Sequence, residues 1–244
     1  MGERVSAGLS RIASAVLDLL FPTDVQCLCC GAALSRDELM LCCGCVLALD
    51  RQENMQRMAE ASAPREPAQG LDYVCTAYPY EGQAKRLIRR LKFGCVREAA
   101  VPLAHAMAGL PAGSEEMIVP VPTTRRRLRK RGFNQSALIA GEMGRILGMQ
   151  VCEVLSREDD RAAQSTLPGV MRQKNLQGCM RADARVMGRR VLLVDDVYTT
   201  GATAREAARA LREAGAVSVG MLAAARPAQG KGGMPIFLRD KHIR

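Results

Sequence analysis

The chain has no tryptophan, and its four phenylalanines and four tyrosines leave aromatics at 3%. A broad aromatic platform for stacking nucleobases therefore lacks the residues to build it. No apolar run approaches the roughly 20 residues that a membrane span needs. Near the N-terminus, Arg11 and Asp18 interrupt the one segment that could imitate a signal peptide. The expectation is a cytoplasmic protein with no membrane span. No internal repeat is present, and no Gly-Lys-Ser/Thr of a Walker phosphate loop. Acidic residues are scarce beside basic ones: 25 Asp and Glu stand against 35 Lys and Arg, a formal net charge of +10. Such a balance favours phosphate-bearing partners, and with so few aromatics the target is phosphate more than base.

The 244 residues are 48% hydrophobic and 25% charged, an ordinary globular composition that supports one full core plus a small accessory module. Ile12, Ala15, Val16, Leu19 and Leu20 recur at helical spacing ahead of Pro22, so residues 1–22 read as an amphipathic N-terminal helix packed on the body. Residues 23–48 hold a cysteine module, 49–70 a helix end and linker closed by Gly70, and 228–244 a loose tail. Between them, 71–227 form the main domain. Strand signals at 73–79, 116–121, 151–155, 179–185, 190–194 and 216–223 alternate there with helix signals at 81–93, 98–109, 134–147 and 202–213. That alternation predicts an α/β fold, a largely parallel sheet flanked by helices on both faces.

Six of the ten cysteines fall between Cys27 and Cys45, and in a reducing compartment such crowding suggests metal more than disulfides. Two C-x-x-C knuckles are present, Cys27/Cys30 and Cys42/Cys45, with eleven residues between them. Each lets two thiolates of a tight turn face one ion, and the two together complete a tetrahedron, as in a small zinc ribbon. Cys29 and Cys43 are spares. With no histidine in the module and every coordination position filled by thiolate, the metal is structural: zinc, with an iron–sulfur cluster as the alternative. Cys75, Cys95, Cys152 and Cys179 are expected in the core.

The most informative stretch runs from Val191 to Thr203. Four apolar residues, Val191 to Val194, make a buried strand, followed by Asp195 and Asp196 at its carboxyl end, where ligands bind in open α/β sheets. Thr199, Thr200, Gly201, Ala202 and Thr203 then turn into a helix whose free N–H groups and hydroxyls can cradle a phosphate. A phosphate cradle beside two carboxylates fits a phosphorylated ribose, the carboxylates accepting hydrogen bonds from its hydroxyls. Both carboxylates are expected at an exposed strand end.

This stretch resembles the 5-phosphoribosyl 1-diphosphate (PRPP) motif of type I phosphoribosyltransferases, in which two acidic residues precede a Thr-Thr-Gly turn. Further segments sharpen the likeness: Ile118-Val119-Pro120-Val121-Pro122, Arg131-Gly132-Phe133-Asn134-Gln135, Gln164-Ser165-Thr166-Leu167, Arg172 through Asn175-Leu176, and the Leu-Lys-Phe ending at Phe93. Together with the cysteine module they are similar to the competence protein F (ComF) family over roughly residues 15 to 225. Met180 departs from the phenylalanine that this family often carries there. The resemblance implies a type I phosphoribosyltransferase-like domain behind a zinc ribbon, a role in DNA uptake during natural transformation alongside other DNA-uptake proteins, and PRPP bound with Mg²⁺. It also implies that Pro120 to Gln135 form a first loop on pyrophosphate and Arg157 to Asn175 a flexible second loop. Arg131, Arg157 and Arg172 would then contact phosphate oxygens, for which guanidinium geometry is suited.

No acidic residue lies between Met117 and Gly141, while Arg125, Arg126, Arg127, Arg129, Lys130 and Arg131 crowd the middle of that stretch. A second basic cluster, Lys85, Arg86, Arg89, Arg90 and Lys92, flanks the apolar stripe Leu87, Ile88, Leu91 and reads as a solvated face. Two functional classes follow. One is an enzyme that displaces pyrophosphate from ribose C1′ with a nitrogen nucleophile, the Asp pair orienting the ribose and Mg²⁺ with arginines neutralising the departing group. The other is a binding module of the same fold that holds single-stranded DNA on its basic surface.

Overall fold

The computed structural model describes residues 25–35, 37–62, 70–158 and 178–227. The N-terminal helix expected over 1–22, the tail from 228 and most of the second loop, including Arg172, lie outside the described residues.

Val191, Leu192, Leu193 and Val194 are all fully buried, a pattern that only a strand covered on both faces permits. They lie in β6 (Arg190–Val197), the middle of a five-stranded parallel sheet whose neighbours are β1 (Tyr73–Pro79) and β7 (Ser218–Arg226) on one side, and β2 (Met117–Pro120) and β3 (Gln150–Val151) on the other. The order is β1-β7-β6-β2-β3. Leu192 and Val194 join one core layer with buried residues of α2 (Gly82–Phe93), α3 (Ala100–Ala108) and α5 (Gln135–Leu147). Val191 and Leu193 join the other, under α6 (Ala202–Glu213). Among the described residues no helix is long and apolar enough to cross a membrane.

Topology places the ligand crevice. The chain leaves β2 towards β3 at one edge and leaves β6 towards β7 on the other side, so the crossovers diverge between the adjacent strands β2 and β6. A cleft opens at the carboxyl ends of strands where connections part in this way.

Some expectations change. The basic run is not a loop: Arg125–Arg131 forms α4. The Thr124 hydroxyl accepts from the Arg127 N–H at 3.3 Å, and Gly132 ends the helix at φ 79 with its N–H on Leu128 O, so capping at both ends outweighs the repulsion of crowded arginines. The stretch 151–155 is not one strand. β3 stops at Val151, and β4 (Leu155–Arg157) pairs antiparallel with β5 (Met180–Ala182) in a separate two-stranded sheet. Cys75 and Cys152 are buried, whereas Cys95 is exposed in a turn at φ 53.

Helix α1 (Cys43–Ser62) starts inside the cysteine module rather than after it. Glu38 explains the early start, its carboxylate accepting from the Cys43 N–H and the Ser35 N–H and so capping the helix from outside.

Candidate functional site

Cys27, Cys30, Cys42 and Cys45 converge, with all four Sγ atoms within 4.8 Å of one another. A zinc ion with Zn–S bonds of about 2.3 Å needs S···S edges of about 3.8 Å, and Cys30 and Cys42 already stand 3.7 Å apart. The cluster therefore fits a structural metal such as zinc. Burial pushes the Cys27 thiol up, but backbone N–H groups of Cys30, Cys42 and Cys29 outweigh that and bring it down to about 6. Burial and its thiol neighbours Cys42 and Cys30 push Cys45 the opposite way. The second knuckle wraps the first turn of α1, whose positive end favours thiolate. Cys29 lies outside the four-sulfur cluster but beside Cys45, its Sγ 3.6 Å from the Gln83 carbonyl, and burial raises its pKa.

The dyad lies at the carboxyl end of β6, but it is neither exposed nor unpartnered. Asp196 is 7% exposed, and its Oδ1 pairs with Lys92 Nζ at 2.9 Å. Asp195 Oδ1 accepts from Ser136 Oγ at 2.7 Å and from the Asp196 N–H at 2.8 Å. Burial and the adjacent Asp196 charge push Asp195 up to about 7, against the pull of Ser136, the Asp196 amide and Lys92. The expected exposed strand end fails because α5 begins over it: Asn134 caps α5, holds Val121 O with its Nδ2, and swings Ser136 across the crevice onto Asp195.

Beyond the dyad, Tyr198 to Gly201 turn into α6. Thr199 and Thr200 are exposed, and the Thr200 hydroxyl lies 3.4 Å from the Ala202 N–H. Gly201 occupies the N-cap at φ 73, and a Cβ there would come within 2.5 Å of the Tyr198 hydroxyl and 2.9 Å of Arg205 Nη1. Only glycine suits both the left-handed backbone and that close approach. Arg226, ending β7, stacks on the Tyr198 ring at 4.8 Å. Arg226 Nε and Gln135 Nε2 are buried without a hydrogen-bond partner among the described residues. Such orphan donors are rare in folded proteins. They suit an oxygen-rich ligand.

Of the sequence-derived arginines, Arg131 comes to the dyad. Its guanidinium lies 5.3 Å from the Phe93 ring centre, and burial with Arg127 lowers its pKa while Asp196 opposes. Arg157 closes β4 opposite Met180, near Cys179. Met180, in the position of the expected phenylalanine, is buried, its N–H held by Glu206. Lys92 corrects the reading of its cluster as a solvated face. It follows Leu91 and stands four residues after Ile88, on the flank of the buried stripe at the helix end nearest the dyad, and that position was the available signal. Ser136 carried no such signal.

The chain is similar to known proteins. The phosphoribosyl transferase domain family matches residues 134–235, from the cap of α5 through β7. DNA utilization protein YhgH of Escherichia coli K12 is 35% identical over 155 residues, covering 60% of this chain and 68% of that protein. Competence protein F of Haemophilus influenzae is 32% identical over 145 residues, covering 58% of this chain and 60% of its own length. Among solved structures, the glutamine PRPP amidotransferase of Bacillus subtilis complexed with ADP and GMP superimposes with a TM-score of 0.42 at 22% identity, covering 55% of this chain and 28% of that one.

Proposed function

The chain belongs to the ComF family of phosphoribosyltransferase-like, competence and DNA-utilization proteins, and from that premise we propose that it binds PRPP or another phosphorylated ribose at the dyad in support of DNA uptake. One observation carries the reading: the acidic pair and the Thr-Thr-Gly turn meet at the crevice between β2 and β6. In this assignment the 5′-phosphate rests on the N–H groups and hydroxyls of Thr199, Thr200, Gly201, Ala202 and Thr203, while Asp195 and Asp196 accept from the ribose hydroxyls. The hard oxygen donors beside the cradle fit Mg²⁺, which when bound with the ligand neutralises charge on the pyrophosphate. Arg131 and Lys92 add fixed positive charge at the same place. Arg157, at the end of β4, and Arg172 would contact phosphate oxygens of the leaving group.

The candidate reaction breaks the bond from C1′ to the pyrophosphate oxygen, the electron pair leaving with pyrophosphate, as an acceptor nitrogen bonds to C1′ and loses its proton to solvent. No covalent intermediate on the protein is required. The four-cysteine centre holds zinc structurally, and the protein works in the cytoplasm. Titration calorimetry with PRPP and Mg²⁺ tests the site: saturable binding is expected in the natural chain, and none in the Asp195→Asn, Asp196→Asn double variant. Equal affinity in the two would refute the assignment. Pyrophosphate release with candidate bases and DNA then tests catalysis.

A second reading has its own observation. Phe93 is 69% exposed beside Arg131, with the exposed arginines of α4 and with Lys85, Arg86 and Arg89 of α2 also at the surface. That face suits single-stranded DNA, gripped through phosphate with one ring for stacking.

A further inference from the structure

Helix α2 is capped at its start by α1, tied near its end to the cysteine module, and meets the dyad through Lys92 beside that tie. Its N-cap residue, Glu81, makes no side-chain cap. The cap comes instead from Gln52 of α1, the helix that carries the second knuckle: Gln52 Oε1 accepts from the Ala84 N–H at 3.2 Å, and Gln52 Nε2 donates to Glu81 O at 3.0 Å. Gly82 leaves room for it, since a Cβ there would lie 2.7 Å from Gln52 Nε2. Further along, Arg90 Nη1 donates to the carbonyl of Cys27, a residue of the metal cluster, at 3.3 Å. Cys27, Cys29, Cys45 and Leu49 share one core layer with Ala84, Leu87, Ile88 and Leu91. The helix runs about 18 Å in all, twelve residues at about 1.5 Å each, and Lys92, two residues after Arg90 and one before the helix end, pairs with Asp196, its side chain 19% exposed.

We propose that α2 is a lever through which metal occupancy of the cysteine centre sets ligand affinity at the dyad, with Lys92 as the positioning residue it delivers. The proposal rests on the ribose-phosphate reading of that site. With the knuckles closed on metal, the Cys27 carbonyl and Gln52 are fixed and α2 holds Lys92 in register with Asp196, so the dyad presents one geometry to the incoming ligand. When the module opens, α2 loses its N-terminal cap and its Arg90 tether together. Lys92 then wanders, and an unneutralised carboxylate pair meets a phosphorylated ligand.

The test uses the full, metal-loaded chain. Gln52→Ala and Arg90→Ala leave all four cysteines in place, so each should retain the natural metal content by emission spectroscopy, yet bind PRPP with Mg²⁺ about tenfold more weakly, within the usual range for coupled sites. Lys92→Gln should weaken binding by itself, Lys92→Arg should restore it, and Arg90→Ala should add nothing in the Lys92→Gln background. Natural affinity in both lever variants, or additive losses in the double variant, would overturn the lever. Hydrogen exchange supplies an arm that needs no ligand: chelation of the metal should speed exchange at Leu91, Lys92 and Phe93 while Leu192 to Val194 stay protected. Unchanged exchange there overturns the coupling. A natural chain that fails to bind PRPP overturns the ligand reading instead, and the exchange arm alone then decides the lever.

Discussion

Replacing Asp195 by asparagine should stabilise the empty protein above neutral pH while removing its ligand. Asp195 titrates near 7 in the folded chain against 3.8 for a free carboxyl, because burial and Asp196 disfavour its charge. The folded state therefore holds a proton that the unfolded chain releases across that interval. Stability from this group is complete below about pH 4 and is lost as pH rises to about 7, at about 1.4 kcal/mol per unit. Over the whole interval the loss is on the order of 4 kcal/mol, of which about 2 kcal/mol falls between pH 5.5 and pH 7. Asparagine carries no charge to desolvate, and its carbonyl can keep both bonds that Oδ1 accepts, from Ser136 and from the Asp196 amide.

Urea denaturation followed by circular dichroism, at about pH 5.5 and about pH 8, reads the difference directly, since the midpoint reports stability when the slope is unchanged. Wild type should lose about 2 kcal/mol more than Asp195→Asn between the two conditions. At the higher pH the variant should be the more stable protein, and calorimetry should show that it no longer binds PRPP. Parallel stability curves, or a variant weaker than wild type at pH 8, would refute the account of Asp195 as a destabilised carboxylate kept for function.

Zinc should be present at about one per chain, and Cys45→Ser should release it while the circular dichroism of the sheet persists. The metal stabilises its own module by on the order of 10 kcal/mol, and the α/β core does not share that dependence; iron in its place, or no metal in protein purified without chelator, contradicts this. Gly201→Ala forces a side chain into a left-handed N-cap against Tyr198 and Arg205, so it should cost about 1–2 kcal/mol in thermal unfolding and a larger share of PRPP affinity. An unchanged Tm and affinity would show that the turn is not tight. If α4 grips single-stranded DNA, each phosphate contact adds about 0.7 to the slope of log affinity on log salt, four giving about −3, and Arg126→Ala, Arg127→Ala and Arg129→Ala combined should flatten it for all sequences alike. A slope insensitive to the triple change removes α4 from the DNA surface.

The sheet and the turn were legible because their determinants are local. Val191 to Val194 can only be an interior strand, and a Thr-Thr-Gly turn declares its backbone wherever it occurs. The paired knuckles converged for the same reason, since C-x-x-C dictates a turn. The loop expected over Pro120 to Gln135 came from the family resemblance, whereas Thr124 and Gly132, the caps that bound α4, are local signals for a helix there. The break between β3 and β4 turned on backbone bonds to distant residues, such as Asp183 N–H to Val154 O, which no spacing rule carries.

The carboxylates are where local reasoning had to fail. Whether a strand-end aspartate meets water or a lysine depends on which helix packs over it, and Lys92 and Ser136 arrive from elements far from β6 in sequence. Removing Lys92 would strand a nearly buried Asp196 charge, a loss of about 3–5 kcal/mol in comparable pairs. Asp195 already resists ionisation in the same space. A core selected for stability alone would place apolar residues at these two positions. In the proposed reading, the ligand would bring hydroxyl donors to these carboxylates and phosphate oxygens to the Gln135 and Arg226 nitrogens, which lack a partner among the described residues.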